Sequence, residues 1–142
     1  MERLAGWELI SPSRPAHRSL KGPIDMDRTL FLFQWHAEQA EARAAEVRAT
    51  GWRVETESED GARGIRRILD CPPTVVGFDL NRSPSHSLQV ATAIRKYRDI
   101  RHLPLLFIGG SMMNVKRAQE TLRGAAFVVP DLLLTRLKGF DG

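Results

Sequence analysis

Cysteine occurs once in the 142 residues, at Cys71. A lone thiol excludes an internal disulfide framework and any cysteine-cluster zinc site. Long apolar runs are missing as well: the longest, residues 103–110, falls far short of the roughly 20 residues that span a bilayer. The opening stretch MERLAGWELISPSR has no basic start followed by an apolar segment, so it does not read as a secretion signal. What is present is ordinary for a folded chain, with 42% apolar and 27% charged residues, which argues against disorder through most of the length. The length suits a single domain with one core. A soluble, cytoplasmic protein with no membrane partner is the expectation.

The formal net charge of +4 invites a nucleic-acid reading. In residues 1–27 the charges cancel, with Arg3, Arg14, Arg18 and Lys21 against Glu2, Glu8, Asp25 and Asp27. The excess sits in Arg63, Arg66 and Arg67, and in Arg95, Lys96, Arg98 and Arg101 beside His102. Phosphate binding uses such clusters. Here no groove-reading motif or aromatic stacking pattern goes with them, so they read as solvated helix faces, and nucleic acid is not the expected partner.

Residues 1–27 are rich in Ser, Pro, Arg and Gly through SPSRPAHRSLKGP, show no apolar period, and read as an N-terminal extension or linker. Residues 28–142 form the domain. TLFLF (29–33) is a continuous apolar run expected to be a buried strand. A helix follows with Ala37, Ala40, Ala44 and Val47 on one face, stopped by Gly51. WRVETES (52–58) alternates like an edge strand, and GARGIRRILD is a short helix with Ile65, Ile68 and Leu69 inward. TVVGFD (74–79), LPLLFIGG (103–110) and AAFVV supply three more strands. Between and after them come helices expected at 88–98 through Leu88, Ala91 and Ile94, at NVKRAQETLRG through Val115, Ala118 and Leu122, and at PDLLLTRL, headed by Pro130 and Asp131.

Five apolar strands alternating with five helices imply a parallel sheet covered on both faces, because parallel strands need crossovers. Right-handed crossovers then favour a three-layer, doubly wound α/β domain of flavodoxin type, with five parallel strands in the order 2-1-3-4-5. Ligands in such sheets meet the carboxyl ends of the strands at the topological switch point. The residues placed there are Gln34, Trp35 and His36 after the first strand, Asp79 to Asn81 after the third, and Gly109, Gly110 and Ser111 after the fourth. Asp79 is the only carboxylate among them.

VVGFDLNRSP resembles the third strand and following loop of response-regulator receiver domains of the CheY-like kind, the phosphoacceptor modules of two-component signalling and phosphorelay. LPLLFIGGS resembles their fourth strand and RGAAFVVP their fifth, so the likeness runs over about 28–140. It implies the fold derived above and puts Asp79 at the phosphoacceptor position. The departures are as specific as the match. Receivers hold Mg²⁺ with two acidic residues after the first strand, and those positions are Gln34 and Trp35 here. Their hydroxyl residue at the end of the fourth strand corresponds to Gly109, with Ser111 two residues on, and no lysine follows the fifth strand, which runs into Pro130 and Asp131.

Phosphoryl transfer rests on positioning and charge neutralisation, so a pocket lacking the metal and the cation loses most of its catalysis. The expectation is a stand-alone pseudo-receiver that binds Mg²⁺ weakly or not at all. It is expected to be no enzyme, since no nucleophile–base–orienter set is present, and to act by protein–protein interaction. The family's docking and dimerising face, built from the fourth helix, fifth strand and fifth helix, corresponds to residues 115–137, with Phe127, Leu132, Leu133 and Leu134 as candidates for a partner or a second copy. Two alternatives stand beside it: a genuine phosphoacceptor using Asp79 in an altered pocket, and a small-molecule module in which Trp35 stacks on a planar ligand.

Overall fold

A computed structural model describes residues 28–140. The expected extension, residues 1–27, therefore lies outside the described residues. The chain alternates strictly: β1 (Thr29–Phe33), α1 (Ala37–Arg48), β2 (Arg53–Glu57), α2 (Gly61–Asp70), β3 (Val75–Asp79), α3 (Pro84–Ile94), β4 (Leu105–Ile108), α4 (Met112–Thr121), β5 (Ala126–Val128), a 3-10 turn at Pro130–Leu132, and α5 (Leu133–Leu137). All strand pairs are parallel and the order is β2-β1-β3-β4-β5, as the crossover argument requires.

Alternation along the strands divides the core into two layers. Phe31, Phe33, Val76, Phe78 and Phe107 face α2, α3 and α4. Leu30, Leu32, Val75, Leu106 and Ile108 face α1 and α5. In the first layer the aromatic rings form a chain across the sheet, Phe33 on Phe78 at 5.2 Å, Phe78 on Phe107 at 5.2 Å and Phe107 on Phe127 at 5.4 Å.

Several local expectations need correction. Ala37 is exposed, because it occupies the first helical position, ahead of the buried stripe Ala40, Ala44 and Val47. The third helix begins at Pro84 and ends at Ile94, earlier at both ends than 88–98, because proline at the first helical position sets φ for the helix and needs no N–H partner there. Arg63 and Arg67 remain partly exposed, as a helix face would be, and each also pairs with a carboxylate of β2.

Candidate functional site

The carboxyl ends of β1 and β3 are neighbours, with Phe33 opposite Phe78, so Gln34 and Asp79 emerge side by side at the switch point. Both are buried, at 1% exposure each. By the strand alternation they belong to the α1–α5 side of the sheet.

Each oxygen of the Asp79 carboxylate accepts one hydrogen bond. Its Oδ2 accepts the backbone N–H of Arg82 at 2.7 Å, which turns the loop after β3. Its Oδ1 accepts from the guanidinium of Arg43 at 3.4 Å, and the arginine side chain is itself largely buried. Arg43 stands at the middle of α1, between the inward residues Ala40 and Ala44. The sequence reading missed it. Its signal is a cation on the flank of a small apolar stripe, which is otherwise an ordinary surface feature.

Trp35 does not fill the space before the carboxylate. The next residue along an extended chain turns to the opposite side, and the indole stacks on His86 at 3.9 Å and lies 5.7 Å from Phe33. Its Nε1–H donates to Ser87 Oγ at 2.8 Å, and that hydroxyl donates to the Asp79 carbonyl at 2.6 Å. A fully buried serine on α3 thus ties the loop after β1 to the end of β3. Ser87 and His86 were not singled out from sequence, because their roles depend on where α3 begins. His36 is committed elsewhere, as the N-cap of α1 through Nδ1.

Across the cleft, Asn81 Oδ1 accepts the Gly110 N–H at 2.8 Å, joining the loops after β3 and β4. This contact explains the glycines. Gly109 and Gly110 have φ of 76° and 97°, and a Cβ on Gly109 would lie 2.5 Å from Asn81 Nδ2. Neither the backbone nor the space admits a serine or threonine at the end of β4. Ser111 does not replace that hydroxyl, because its Oγ caps α4 by accepting the Asn114 N–H at 3.1 Å. Gln34 Oε1 has no hydrogen-bond partner among the described residues.

On the far edge, Phe127 is half-buried against Phe107, Leu132 and Leu134 are exposed at 55% and 38%, and Leu133 is buried. Leu133 is therefore withdrawn from the candidate interaction face: with Leu137 it attaches α5 to the α1 side of the sheet.

No family model and no curated protein matches the chain. Solved structures do. The chemotaxis protein CheY4 of Vibrio cholerae is similar at TM-score 0.66 and 16% identity, over 78% of this chain and 96% of that one. The receiver domain of the Francisella response regulator 1452 is similar at TM-score 0.64 and 14% identity, over 78% and 93%. The signal receiver domain of a signal transduction histidine kinase from Syntrophus aciditrophicus gives TM-score 0.64 and 19% identity, over 78% and 87%. The fold is thus that of CheY-like receiver domains.

Proposed function

We propose that this receiver-fold domain is a signalling module that works without phosphorylation of Asp79 and acts by binding protein rather than by catalysis. The observation that carries the reading is the Arg43–Asp79 ion pair. A phosphoacceptor carboxylate needs a free oxygen to attack phosphorus and a metal to neutralise the incoming charge. Here one oxygen is held by a backbone N–H and the other by a guanidinium.

Magnesium, which the receiver fold implies, does not fit these residues. Mg²⁺ takes near-octahedral oxygen ligands, including one or two carboxylates. The donors at the switch point are one carboxylate already paired with a cation and one neutral amide oxygen, Gln34 Oε1, while the Trp35 indole offers only an N–H. Among the described residues no group of three His, Cys, Asp or Glu side chains is placed to hold a metal.

A surface for the interaction is available at the β5 edge. Val129, Leu132 and Leu134 are exposed large apolar residues beside the half-buried Phe127, and they suit a protein partner or a second copy of the chain.

Titration with Mg²⁺ and then beryllofluoride, followed by tryptophan fluorescence, tests the reading, since Trp35 is linked to Asp79 through Ser87. The expected trace is flat at millimolar Mg²⁺, in the wild type and in Asp79→Asn alike. A saturable change that requires Mg²⁺ and disappears in Asp79→Asn would overturn the reading in favour of an active phosphoacceptor. The unpaired Gln34 Oε1 favours one second reading, a small ligand that donates a hydrogen bond to it. Thermal-shift screening of wild type against Gln34→Leu would show such a ligand as stabilisation that the variant loses.

A further inference from the structure

Two grooves cross the helical face opposite the Asp79–Arg43 pair, one between α2 and α3 and one between α3 and α4. They share Tyr97, which follows α3 and stands 44% exposed between them. The α3–α4 groove has a volume of about 670 Å³. Leu88 and Ala93 give it apolar surface, Thr92 a hydroxyl, and Lys96 and Arg117 bring cations from opposite banks.

We propose that this α3–α4 groove docks an acidic segment of a partner protein, with an apolar side chain seated against Tyr97 and Leu88 and carboxylates meeting Lys96 and Arg117. The charge pattern is the basis. Four arginines beside the sheet are matched, Arg43 with Asp79, Arg48 with Glu41, Arg63 with Glu57 and Arg67 with Glu55, whereas this groove gathers two cations and no acid. Lys96 and Arg117 are exposed, have no carboxylate partner among the described residues, and line a groove that no Asp or Glu lines. Two unmatched cations flanking an apolar floor and an exposed aromatic form the centre-and-rim arrangement that protein interfaces use.

Other occupants fit less well. Nucleic acid is held by many phosphate contacts along a cationic track, with bases stacked in series on aromatics. This groove has two cations and one ring. A second copy is one outcome of the test; the carboxylates nearest the groove do not favour it, since Asp60 caps α2 by accepting the N–H groups of Ala62 and Arg63, and Glu59 pairs with Arg63. The proposal goes beyond the reading of the Asp79 pocket, because the groove lies on the other side of the sheet and uses none of its residues.

The test uses the full chain and fluorescein-labelled synthetic peptides in anisotropy titrations. A glutamate–leucine peptide is compared with lysine–leucine and glutamate–serine peptides and with an oligo(dT) strand, and the protein's own state is followed by sedimentation. The expected result is saturable binding of the glutamate–leucine peptide, weakened by salt, with the glutamate–serine peptide much weaker and the lysine–leucine peptide inert. The Lys96→Glu/Arg117→Glu double variant should lose at least tenfold in affinity with an unchanged melting curve, since both side chains are exposed. Tyr97→Ala should weaken the same peptide, and Asp79→Asn should leave its affinity unchanged, which separates failure here from failure of the pocket reading. No peptide binding, binding indifferent to the double variant, tighter binding of oligo(dT), or self-association abolished by the double variant would each overturn the proposal.

Discussion

Two buried carboxylates at the strand ends carry most of the residue-scale chemistry, and they are handled differently. Glu57, at the end of β2, receives both the Nε–H and an Nη–H of Arg63 at 2.8 and 2.7 Å, and the backbone N–H groups of Glu59 and Asp60. The Arg63 hydrogen bonds, helped by those backbone donors and opposed by burial, lower its pKa from 4.5 to about 2. A carboxylate with a depressed folded-state pKa contributes stability that is present above its unfolded value and lost as pH falls through the folded one. Glu57→Gln should therefore cost about 2 kcal/mol at pH 7 in urea unfolding, the scale of charge-assisted hydrogen bonds. That difference should shrink between about pH 4.5 and 2 as the wild-type carboxylate becomes protonated. A gap that stays constant with pH would show that the ion pair is not its source. For Asp79, a double-mutant cycle of Asp79→Asn with Arg43→Gln should give a coupling of about 1 kcal/mol, within the range found for residues in one ion-pair network. Additive effects would remove Arg43 from the pocket. Asp79 itself was legible, as a carboxylate ending an apolar strand. Arg43 was not, since a cation on a helix flank has no pattern that distinguishes pairing from solvation.

Close packing between elements explains residues that composition alone makes look weak. Gly61 and Gly64 stand in the first half of α2, where alanine has the better intrinsic helix propensity by about 1 kcal/mol. They are there because the helix lies directly on its neighbours: a Cβ on Gly61 would be 2.6 Å from Val90 Cγ2, and one on Gly64 would overlap the ring of Phe33. Phe33 is fully buried and stacked on Phe78, so it has little room to yield. Gly64→Ala should destabilise the protein by about 2 kcal/mol in chemical denaturation, the cost of overpacking exceeding the propensity gain. A neutral or stabilising result would mean α2 can slide away from the sheet. Ser111 makes the opposite kind of statement. Its hydroxyl belongs to the helix end, so Ser111→Ala should cost about 1 kcal/mol as a lost N-cap, while Ser111→Asp, which also caps, should retain most of the stability. The start of α3 was misplaced from sequence because the apolar period becomes visible only at Leu88, whereas the backbone is already helical from Pro84.

For the molecule as a whole, the two faces of the sheet are covered unequally. α1 is twelve residues long, but α5 is only five, and it secures the α1 side beside β4 and β5 through Leu133 and Leu137. The three successive leucines therefore divide by direction. Leu133→Ala should cost about 2–5 kcal/mol, as buried large-to-small changes do. Leu132→Ser/Leu134→Ser should stay within about 0.5 kcal/mol per site in the same denaturation experiment. If the exposed pair proved as costly as Leu133, α5 would be packed otherwise and the face at the β5 edge would not be open to a partner. The fold itself, its strand order and the position of the switch point were determined by the sequence alone, because strand and helix periods and the handedness of crossovers leave one economical solution. So was the absence of acids at 34 and 35. What fills that absence was decided by tertiary structure. Arg43 reaches Asp79 from α1, Trp35 turns away onto His86, and Asn81 presses on Gly109. Each depends on how an independent element is set against the sheet, and contacts between residues distant along the chain leave no period in the sequence from which to read them.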